Sequence, residues 1–330
     1  MTLHLAVDAG GTSTRCVAVD ETGGCLGYGR AASGNPISAG PALAARSVAE
    51  AAADALRQAG SAGGGAAGVA SVLLAMAGAS ALSSTELFAA ELAPLGVRAP
   101  VAFAPDLLAT FCSGTWRADG YALVAGTGAT AVRVEGGEVA RAADGLGWLL
   151  GDDGSGFWIG ERVARAAAAD LDGRGPRTAL TAAVLAALGL APDGAQVQGR
   201  AAVLQRLVET VYALRPVELS RFARLAFQAA GDPVADAIVR GAADALVRTL
   251  ETVTDPAVEG PVVLGGGTLA QHDALVDRIT ATRGSEGGAA EVHVVDEGTV
   301  GAAVVALRHA SVTVDGPVFE RIARTLDALR

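Results

Sequence analysis

The sequence contains no lysine, so all 25 basic residues are arginine. A Walker A loop needs the lysine of its G-K-[ST] sequence, and a protein kinase needs a strand lysine that contacts the nucleotide phosphates. A Schiff-base enzyme needs a lysine amine. The sequence therefore excludes these three classes. A nucleotide site in this chain must hold its phosphates by other groups, such as backbone N–H groups and hydroxyls.

Other features are scarce as well. The three cysteines, Cys16, Cys25 and Cys112, form no C-x-x-C pair, and the four histidines are scattered. This pattern indicates neither a disulfide framework nor a zinc or iron–sulfur site. The net charge of −10 argues against a nucleic-acid partner. No apolar run approaches the roughly 20 residues of a membrane span. No signal peptide opens the chain, so we expect a cytoplasmic protein.

Two segments of the chain share one order of elements. A length of 330 residues favours two domains. Residues 3–29 predict strand, glycine loop, strand, Gly-Gly turn and strand, and residues 121–143 repeat that order. The stretch "AVDAGGTSTRCVAV" can be laid beside "LVAGTGATAVRV". This predicts an internal duplication, although any two hairpins with glycine turns share some likeness.

The rest of the chain predicts an α/β protein. Buried strands in "VASVLLAMAGAS" and "VRAPVAFA" alternate with helices, which indicates a sheet with parallel members. We expect a first domain over 1–118 and a second over 119–316, with a mostly helical insertion at about 157–255. A last amphipathic helix, about 317–330, is expected to be able to pack back on the first domain.

Three glycine-rich loops are candidate phosphate sites. Hairpins follow the first two loops, whereas a Rossmann site requires a helix after its glycines. Taken singly, each loop is also typical of a plain turn. Asp8, at the end of the first strand, is a candidate for holding the water ligands of Mg²⁺. The candidate residues are Asp8, Gly10, Gly11 and Thr12, then Gly126, Thr127 and Gly128, then Gly265, Gly266 and Gly267.

Polar residues in other loops are candidates for the acceptor side of a reaction. Asp106 follows a predicted strand, where it is either a general base or the N-cap of the next helix. Asn35 lies in a Gly/Asn/Pro loop and also suits a turn. In "GDDGS", Asp153 or Ser155 could cap a helix. Trp148 is either an apolar platform for a ligand or, more typically, a core residue.

Several motifs carry a family resemblance. "DAGGTSTR", "AGTGATAV" and "VVLGGGTLA" resemble the two phosphate motifs and the adenosine motif of the sugar kinase, heat-shock-70 and actin superfamily. "SGNP", "APDLLAT" and "GLGWLLGDDGSGFWIG" resemble the N-acetylglucosamine kinase branch of the BadF/BadG/BcrA/BcrD ATPase family. The likeness covers residues 3–160 and resumes at 261–310. It implies a duplicated actin-like (ribonuclease H-like) ATPase fold with a nucleotide cleft between two domains.

The resemblance also implies a function. An ATP- and Mg²⁺-dependent kinase would phosphorylate the 6-hydroxyl of an amino sugar, first of all N-acetylglucosamine, with Asp106 as the base. Glucosamine, N-acetylmannosamine and N-acetylmuramate remain alternative substrates. An ATP-dependent activator or a sugar sensor remains an alternative of another class, although such activators bridge an iron–sulfur cluster through paired cysteines, which this chain lacks. Separately, the alanine-rich helical faces in 157–255 suit either a homodimer interface or an internal core.

The site residues that the resemblance implies lie in five segments. Ala223, in "RFARLAFQAAGDP", would line the adenine pocket. The expected sugar contacts are Asn35, Asp106, Ala129, Thr130, Gly145, Leu146, Gly147 and Asp152. One departure concerns the second loop, because N-acetylglucosamine kinases commonly read G-T-G-S-N where residues 126–130 read G-T-G-A-T. This leaves open which substituent at C2 of the sugar is preferred.

Overall fold

The computed structural model describes residues 1–61, 63, 65–78, 84–192, 194–284 and 291–330. Their strands form two five-stranded sheets and one short ribbon. The strands are β1 (Leu3–Ala9), β2 (Thr14–Asp20), β3 (Cys25–Ala31), β4 (Val69–Met76), β5 (Val101–Ala104), β6 (Gly120–Ala125), β7 (Ala129–Glu135), β8 (Glu138–Asp144), β9 (Gln196–Val197), β10 (Arg200–Ala201), β11 (Val262–Gly265) and β12 (Val292–Val295).

The two large sheets have the same topology. The first has the order β3-β2-β1-β4-β5 and the second the order β8-β7-β6-β11-β12. In each, three antiparallel strands are followed by two strands parallel to the first one. Strand β1 is buried along its whole length, as expected for a strand covered on both faces. The predicted α/β fold and its duplication are therefore confirmed.

Helices cover both sheets. The predicted helical segment at 157–255 contains α5 to α9, interrupted by the β9–β10 ribbon. Within the described ranges, no helix is both long and apolar enough to span a bilayer. The helices are α1 (Pro36–Ala39), α2 (Pro41–Ser61), α3 (Glu86–Leu92), α4 (Asp106–Gly114), α5 (Gly156–Leu171), α6 (Ala179–Ala187), α7 (Ala202–Tyr212), α8 (Ala223–Gln228), α9 (Pro233–Val253), α10 (Gly267–Ala270), α11 (Asp273–Gly284), α12 (Thr299–His309) and α13 (Gly316–Asp327).

Helices α4 and α12 lie between the two sheets. Helix α4 follows the first sheet in sequence and packs on β6 and β11 of the second, whereas α12 follows the second sheet and packs on β1 and β4 of the first. One apolar cluster accordingly contains residues of both sheets and both helices. The two helices approach so closely that a Cβ on Gly301 would lie 1.7 Å from the carbonyl oxygen of Ala109. This crossing couples the two halves of the fold.

The last helix packs against the first sheet. Ile322 and Leu326 of α13 are fully buried, and the backbone N–H of Cys25 on β3 donates to Thr325 Oγ1 at 3.0 Å. Helix α12 also packs on the first sheet, although its segment was expected in the second domain.

Candidate active site

The first glycine loop joins β1 to β2 as a tight hairpin. Asp8 is the second-last residue of β1, and the N–H of Gly10 closes the loop on the carbonyl oxygen of Ser13 at 3.0 Å. Gly11 and Thr12 form the exposed tip. Backbone N–H groups at such a tip can face an anion without a helix terminus or a lysine.

The second glycine loop is tied to two other elements through one carbonyl group. The N–H of Gly126 donates to Gly128 O at 2.9 Å, which closes the turn. Gly126 O accepts from the N–H of Gly156 at 2.8 Å and from Thr268 Oγ1 at 2.9 Å. Thr127 lies exposed at the tip, at the place equivalent to the first loop's exposed threonine. The second loop, the start of α5 and the start of α10 thus form one unit.

The third glycine loop packs between the second loop and α4. Gly266 has a φ of +89°, and a Cβ there would lie 2.6 Å from Ala125 O, so only glycine fits. A Cβ on Gly265 would lie 2.4 Å from Thr110 Cγ2 of α4. Gly267 begins α10. Ala223 starts α8 and is buried in the core of the second half.

Asp106 and Asp8 lie at the same edge of the first sheet. Strands β1 and β5 both run parallel to β4, so Asp8 near the end of β1 and Asp106 just after β5 lie at the same edge. Burial, and then the negative charge of Asp8, raise the pKa of Asp106. The alternative role as N-cap is not seen, because the N-cap position is Pro105 and Asp106 is the first helical residue. Thr110 follows one turn later on the same face of α4, which places the third glycine loop about 6 Å along the helix from Asp106.

Charged groups that the sequence analysis did not single out surround Asp8. Arg15 lies opposite Asp8 in the β1–β2 register, with Nη1 3.5 Å from Asp8 Oδ2 and Nε 2.5 Å from Glu297 Oε2. The N–H of Gly298 donates to Asp8 Oδ2 at 3.1 Å. Arg330 also pairs with Glu297. Burial raises the pKa of Asp8, and the nearby Arg15 and the Gly298 N–H oppose that shift.

The donor set around Asp8 is compatible with Mg²⁺. Asp8 Oδ2 carries the contacts with Arg15 and Gly298, and within the described ranges no group donates to Oδ1. The same ranges contain no group of three or more His, Cys, Asp or Glu side chains arranged to hold a metal. Mg²⁺ commonly takes one or two protein carboxylates and completes its coordination shell with water and substrate phosphates. Asp8 can supply one such carboxylate.

Asn35 lies in the loop between β3 and α1. Its Oδ1 accepts from the N–H of Ile37 at 2.8 Å, which is the turn chemistry expected of asparagine. The neighbouring Gly34 donates its N–H to Gly10 O at 3.2 Å. The Asn35 loop is therefore anchored on the first glycine loop.

Asp152 is held in a strained loop beside the second glycine loop. Its Oδ1 accepts from the N–H of Ala129 at 3.1 Å, and burial raises the pKa of this carboxyl. Asp144 accepts from the N–H groups of Asp152 at 2.6 Å and of Asp153 at 2.9 Å. Asp144 and Asp152 both have positive φ, at 66° and 60°. Such backbone in residues other than glycine is concentrated at functional sites.

The other expected sugar contacts lie on the same loop or at the start of β7, which is bonded to it. Thr130 Oγ1 donates to Ala143 O at 3.2 Å, and Gly145 donates its N–H to Ala129 O at 2.9 Å. Leu146 is exposed, and Gly147 accepts from later residues of the loop.

Two alternatives left open by the sequence are decided here. The prediction that Trp148 is a core residue is wrong, since it is 41% exposed and packs against Phe157. Ser155, and not Asp153, caps α5, because its Oγ accepts from the N–H of Trp158 at 3.2 Å.

The structure thus gathers the predicted residues into two groups. Asp8, the first loop, Asn35 and Asp106 belong to the first sheet, while the second and third loops and the loop of Asp152 belong to the second. Helix α4 touches both groups, through Asp106 at its start and through the contact of Thr110 with Gly265. Ala223 belongs to neither sheet: it starts α8, which packs on α5, the helix that begins beside the second glycine loop.

Two sheets of identical topology, each opening with a hairpin glycine loop, define an actin-like ATPase fold. Residues 5–306 match the model of the BadF/BadG/BcrA/BcrD ATPase family, and the chain belongs to that family. It is 27% identical over 294 residues to an N-acetyl-D-glucosamine kinase of Dictyostelium discoideum, covering 84% of this chain and 89% of that protein.

Solved structures share the fold. A putative N-acetylglucosamine kinase of Chromobacterium violaceum superposes with a TM-score of 0.72 at 26% identity, over 93% of this chain and 99% of that one. A ROK family glucokinase of Streptomyces griseus, in complex with glucose and AMPPNP, superposes with a TM-score of 0.52 at 23% identity, over 93% and 99% of the two chains. The second likeness shows the fold alone.

Proposed function

We propose that this protein is an ATP-dependent amino-sugar kinase that transfers the γ-phosphoryl group of ATP to the 6-hydroxyl of N-acetylglucosamine. The names of its relatives support the reaction class. The observation that carries the proposal is the half-buried carboxyl of Asp106, at one sheet edge with Asp8 and one helical turn from the third glycine loop. This is where an acceptor hydroxyl and a phosphate chain would have to meet.

The glycine loops would hold the triphosphate. Phosphoryl transfer depends chiefly on positioning and on stabilising charge, and hairpin N–H groups provide both without a lysine. The exposed hydroxyls of Thr12 and Thr127 can add donors at equivalent places of the two halves. Asp8 would hold Mg²⁺, which neutralises phosphate charge when bound.

Asp106 would accept the proton of the attacking hydroxyl. A general base works best when its pKa lies near the working pH, and burial together with Asp8 moves the pKa of Asp106 upward from its ordinary value. Asn35 on the first sheet and Asp152 on the second would orient the sugar from opposite sides. We propose a domain boundary near residue 118, between α4 and β6, so that closure of the two halves excludes water from the reaction.

Thr130 bears on the choice of sugar. Its hydroxyl donates to the carbonyl of Ala143, so it is engaged within the loop, and a longer amide at this position would reach further. A preference for a smaller C2 substituent, as in glucosamine, therefore competes with the leading assignment. The variant Thr130→Asn should shift the preference toward N-acetylated sugars.

Coupled ADP release with Mg-ATP tests the proposal against glucose, glucosamine, N-acetylglucosamine, N-acetylmannosamine and N-acetylmuramate. Asp106→Asn should abolish turnover, whereas the matched control Asp153→Asn, which changes an exposed carboxylate in the sugar loop, should retain it. Turnover that survives in Asp106→Asn would remove Asp106 from the role of base. If no sugar supports turnover in a protein that binds ATP, the kinase proposal fails and an activator or sensor takes its place.

A further inference from the structure

Phe227 and His272 stack face to face where the helical region meets the segment after the third glycine loop. Their ring centroids are 3.5 Å apart and their planes differ by 8°. Phe227 lies on α8 and His272 between α10 and α11, and both side chains are half-buried. Burial lowers the pKa of His272, against an opposing effect of Asp273.

Each ring lies on or next to a helix that starts at an expected nucleotide contact, α8 at Ala223 and α10 at Gly267. Phe227 follows Ala223 by four residues, so the two lie on the same face of α8. His272 donates its backbone N–H to Leu269 O at 3.2 Å. Thr268, in the same short helix, donates its hydroxyl to the carbonyl of the second glycine loop at 2.9 Å. The segment from the third glycine loop to His272 is therefore fixed at one end to a phosphate loop and at the other end to α8.

The stacking geometry indicates that the surroundings hold the pair in place. Aromatic rings left to themselves prefer offset or edge-to-face contacts to a face-to-face sandwich. Elsewhere in this chain, Phe88 and Phe103 follow that preference with an interplanar angle of 87°. A centroid distance of 3.5 Å leaves no room for a third ring between Phe227 and His272. The two rings are therefore in direct contact and fill the space between α8 and the glycine-loop segment.

A groove lies beside this pair. Phe227 lines a cavity of about 560 Å³ between α8, α9 and α11. Its rim carries four charged side chains, Asp236, Arg240, Asp277 and Arg278. Loss of the Phe227 ring would enlarge the groove and leave the end of the glycine-loop segment without its apolar support.

We propose that Phe227 and His272 are positioning residues for the nucleotide: their stack sets the distance between α8 and the third glycine loop. The inference rests on the proposed nucleotide site, but not on the identity of the sugar. Removal of either ring should weaken nucleotide binding and leave the phosphoryl-transfer step unchanged, because neither ring belongs to the acceptor side.

The test measures the Kd for ADP in the absence of sugar, and then KM for ATP and kcat with the preferred sugar. His272→Ala and Phe227→Ala should each raise the Kd roughly two- to twelvefold, the range of an aromatic pair, with kcat within about twofold of wild type. His272→Phe keeps a flat ring and should bind ADP like wild type. His309→Ala, which removes an exposed histidine at the end of α12, is the matched control and should change nothing.

The effects of the two alanine substitutions on the free energy of ADP binding should not add, because each substitution removes the same stack. A double variant that binds ADP no more weakly than the singles supports the proposal. The proposal is overturned by wild-type affinity in His272→Ala, by equal losses in His272→Phe and His272→Ala, or by a double variant whose loss is the sum of the singles. If an alanine variant fails to fold, Phe227→Leu, which keeps apolar volume and removes the flat ring, carries the same expectations. ADP binding is measured without an acceptor sugar. The test can therefore be interpreted even if the proposed kinase activity is wrong.

Discussion

Replacing Gly301 by alanine should separate the two helices that join the halves of the fold. Gly301 lies in the first turn of α12, where a Cβ would be 1.7 Å from Ala109 O and 2.6 Å from Ser113 N, both backbone atoms of α4. Real Cβ atoms essentially never come closer than 3.0 Å. The helices must therefore move apart by about 1.3 Å, the difference between 3.0 Å and 1.7 Å.

The energetic cost follows from this displacement. Overpacking of a tight contact costs about 1–3 kcal/mol, and the bond from the Gly301 N–H to Ser113 Oγ at 2.8 Å would weaken as well. Alanine gains roughly 0.5–1 kcal/mol over glycine inside a helix. The net destabilisation should be about 2 kcal/mol, which corresponds to a fall in Tm of about 3 °C for the unfolding entropy of a 330-residue chain.

The same change should slow catalysis, because α4 carries Asp106 at its start. A displacement of about 1 Å at a reacting group can cost roughly a hundredfold in rate, so kcat should fall far more than stability alone explains. Calorimetry and coupled ADP release measure the two effects. Gly60→Ala is the matched control, since a Cβ there meets nothing within 4 Å, and it should leave Tm equal or slightly raised. A Gly301→Ala protein with the Tm and kcat of that control would refute the tight crossing.

Three further predictions concern charge and capping. Asp106→Asn should stabilise the unliganded protein at neutral pH. The pKa of Asp106 is raised in the folded state, so the folded state binds this proton more tightly than the unfolded state. Wild-type stability therefore falls as the pH rises above the ordinary pKa of 3.8. Denaturant titrations should show this difference vanish below that pH, and a difference that instead grows toward acid would contradict the raised pKa. Arg15→Gln and Glu297→Gln should each weaken Mg²⁺-dependent activity by about 10–100-fold, the usual effect of disturbing groups around a metal-binding carboxylate. Titration of the activity with Mg²⁺ measures this effect. An unchanged Mg²⁺ dependence would contradict the role of Asp8 in holding the metal. Ser155→Ala should cost about 1 kcal/mol and also raise KM for ATP, whereas Asp315→Ala, at the cap of α13, should cost stability alone.

Local features of the fold could be predicted from the sequence. The hairpins around the glycine loops follow from apolar runs and turn residues that are adjacent in the chain, and their repetition predicts the second sheet once the first is recognised. Asp106 could be placed at the sheet edge, because a residue that directly follows a parallel strand must lie at its carboxyl end. The loops and Asp106 therefore needed no information beyond short windows of sequence.

Contacts between distant segments could not be predicted in this way. Arg15 and Glu297 lie near opposite ends of the chain, and only the packing of α12 on β1 brings them together. The position of Arg15, directly before the apolar run "CVAV", was the one available signal. Nothing in the sequence indicated that Asp144 anchors the loop of Asp152. The exposure of Trp148 depends on how its loop leaves the sheet edge. Periodicity specifies which face of an element is apolar, but not which element covers that face.

The charges around Asp8 lead to a last prediction about how the nucleotide enters. Among the described residues of this cluster, Asp8, Asp106 and Glu297 supply three carboxyl groups and Arg15 and Arg330 supply two guanidinium groups. With all three carboxyls ionised the cluster carries a net negative charge, so an uncomplexed triphosphate would be repelled. A divalent cation bound to the phosphates offsets part of their charge and can itself contact the Asp8 carboxylate. The Kd for a non-hydrolysable ATP analogue should therefore be much lower with Mg²⁺ than with EDTA, and Asp8→Asn should reduce the gap. Equal affinity in the two buffers would mean that the phosphates do not approach Asp8, and the assignment of the first loop would have to be given up.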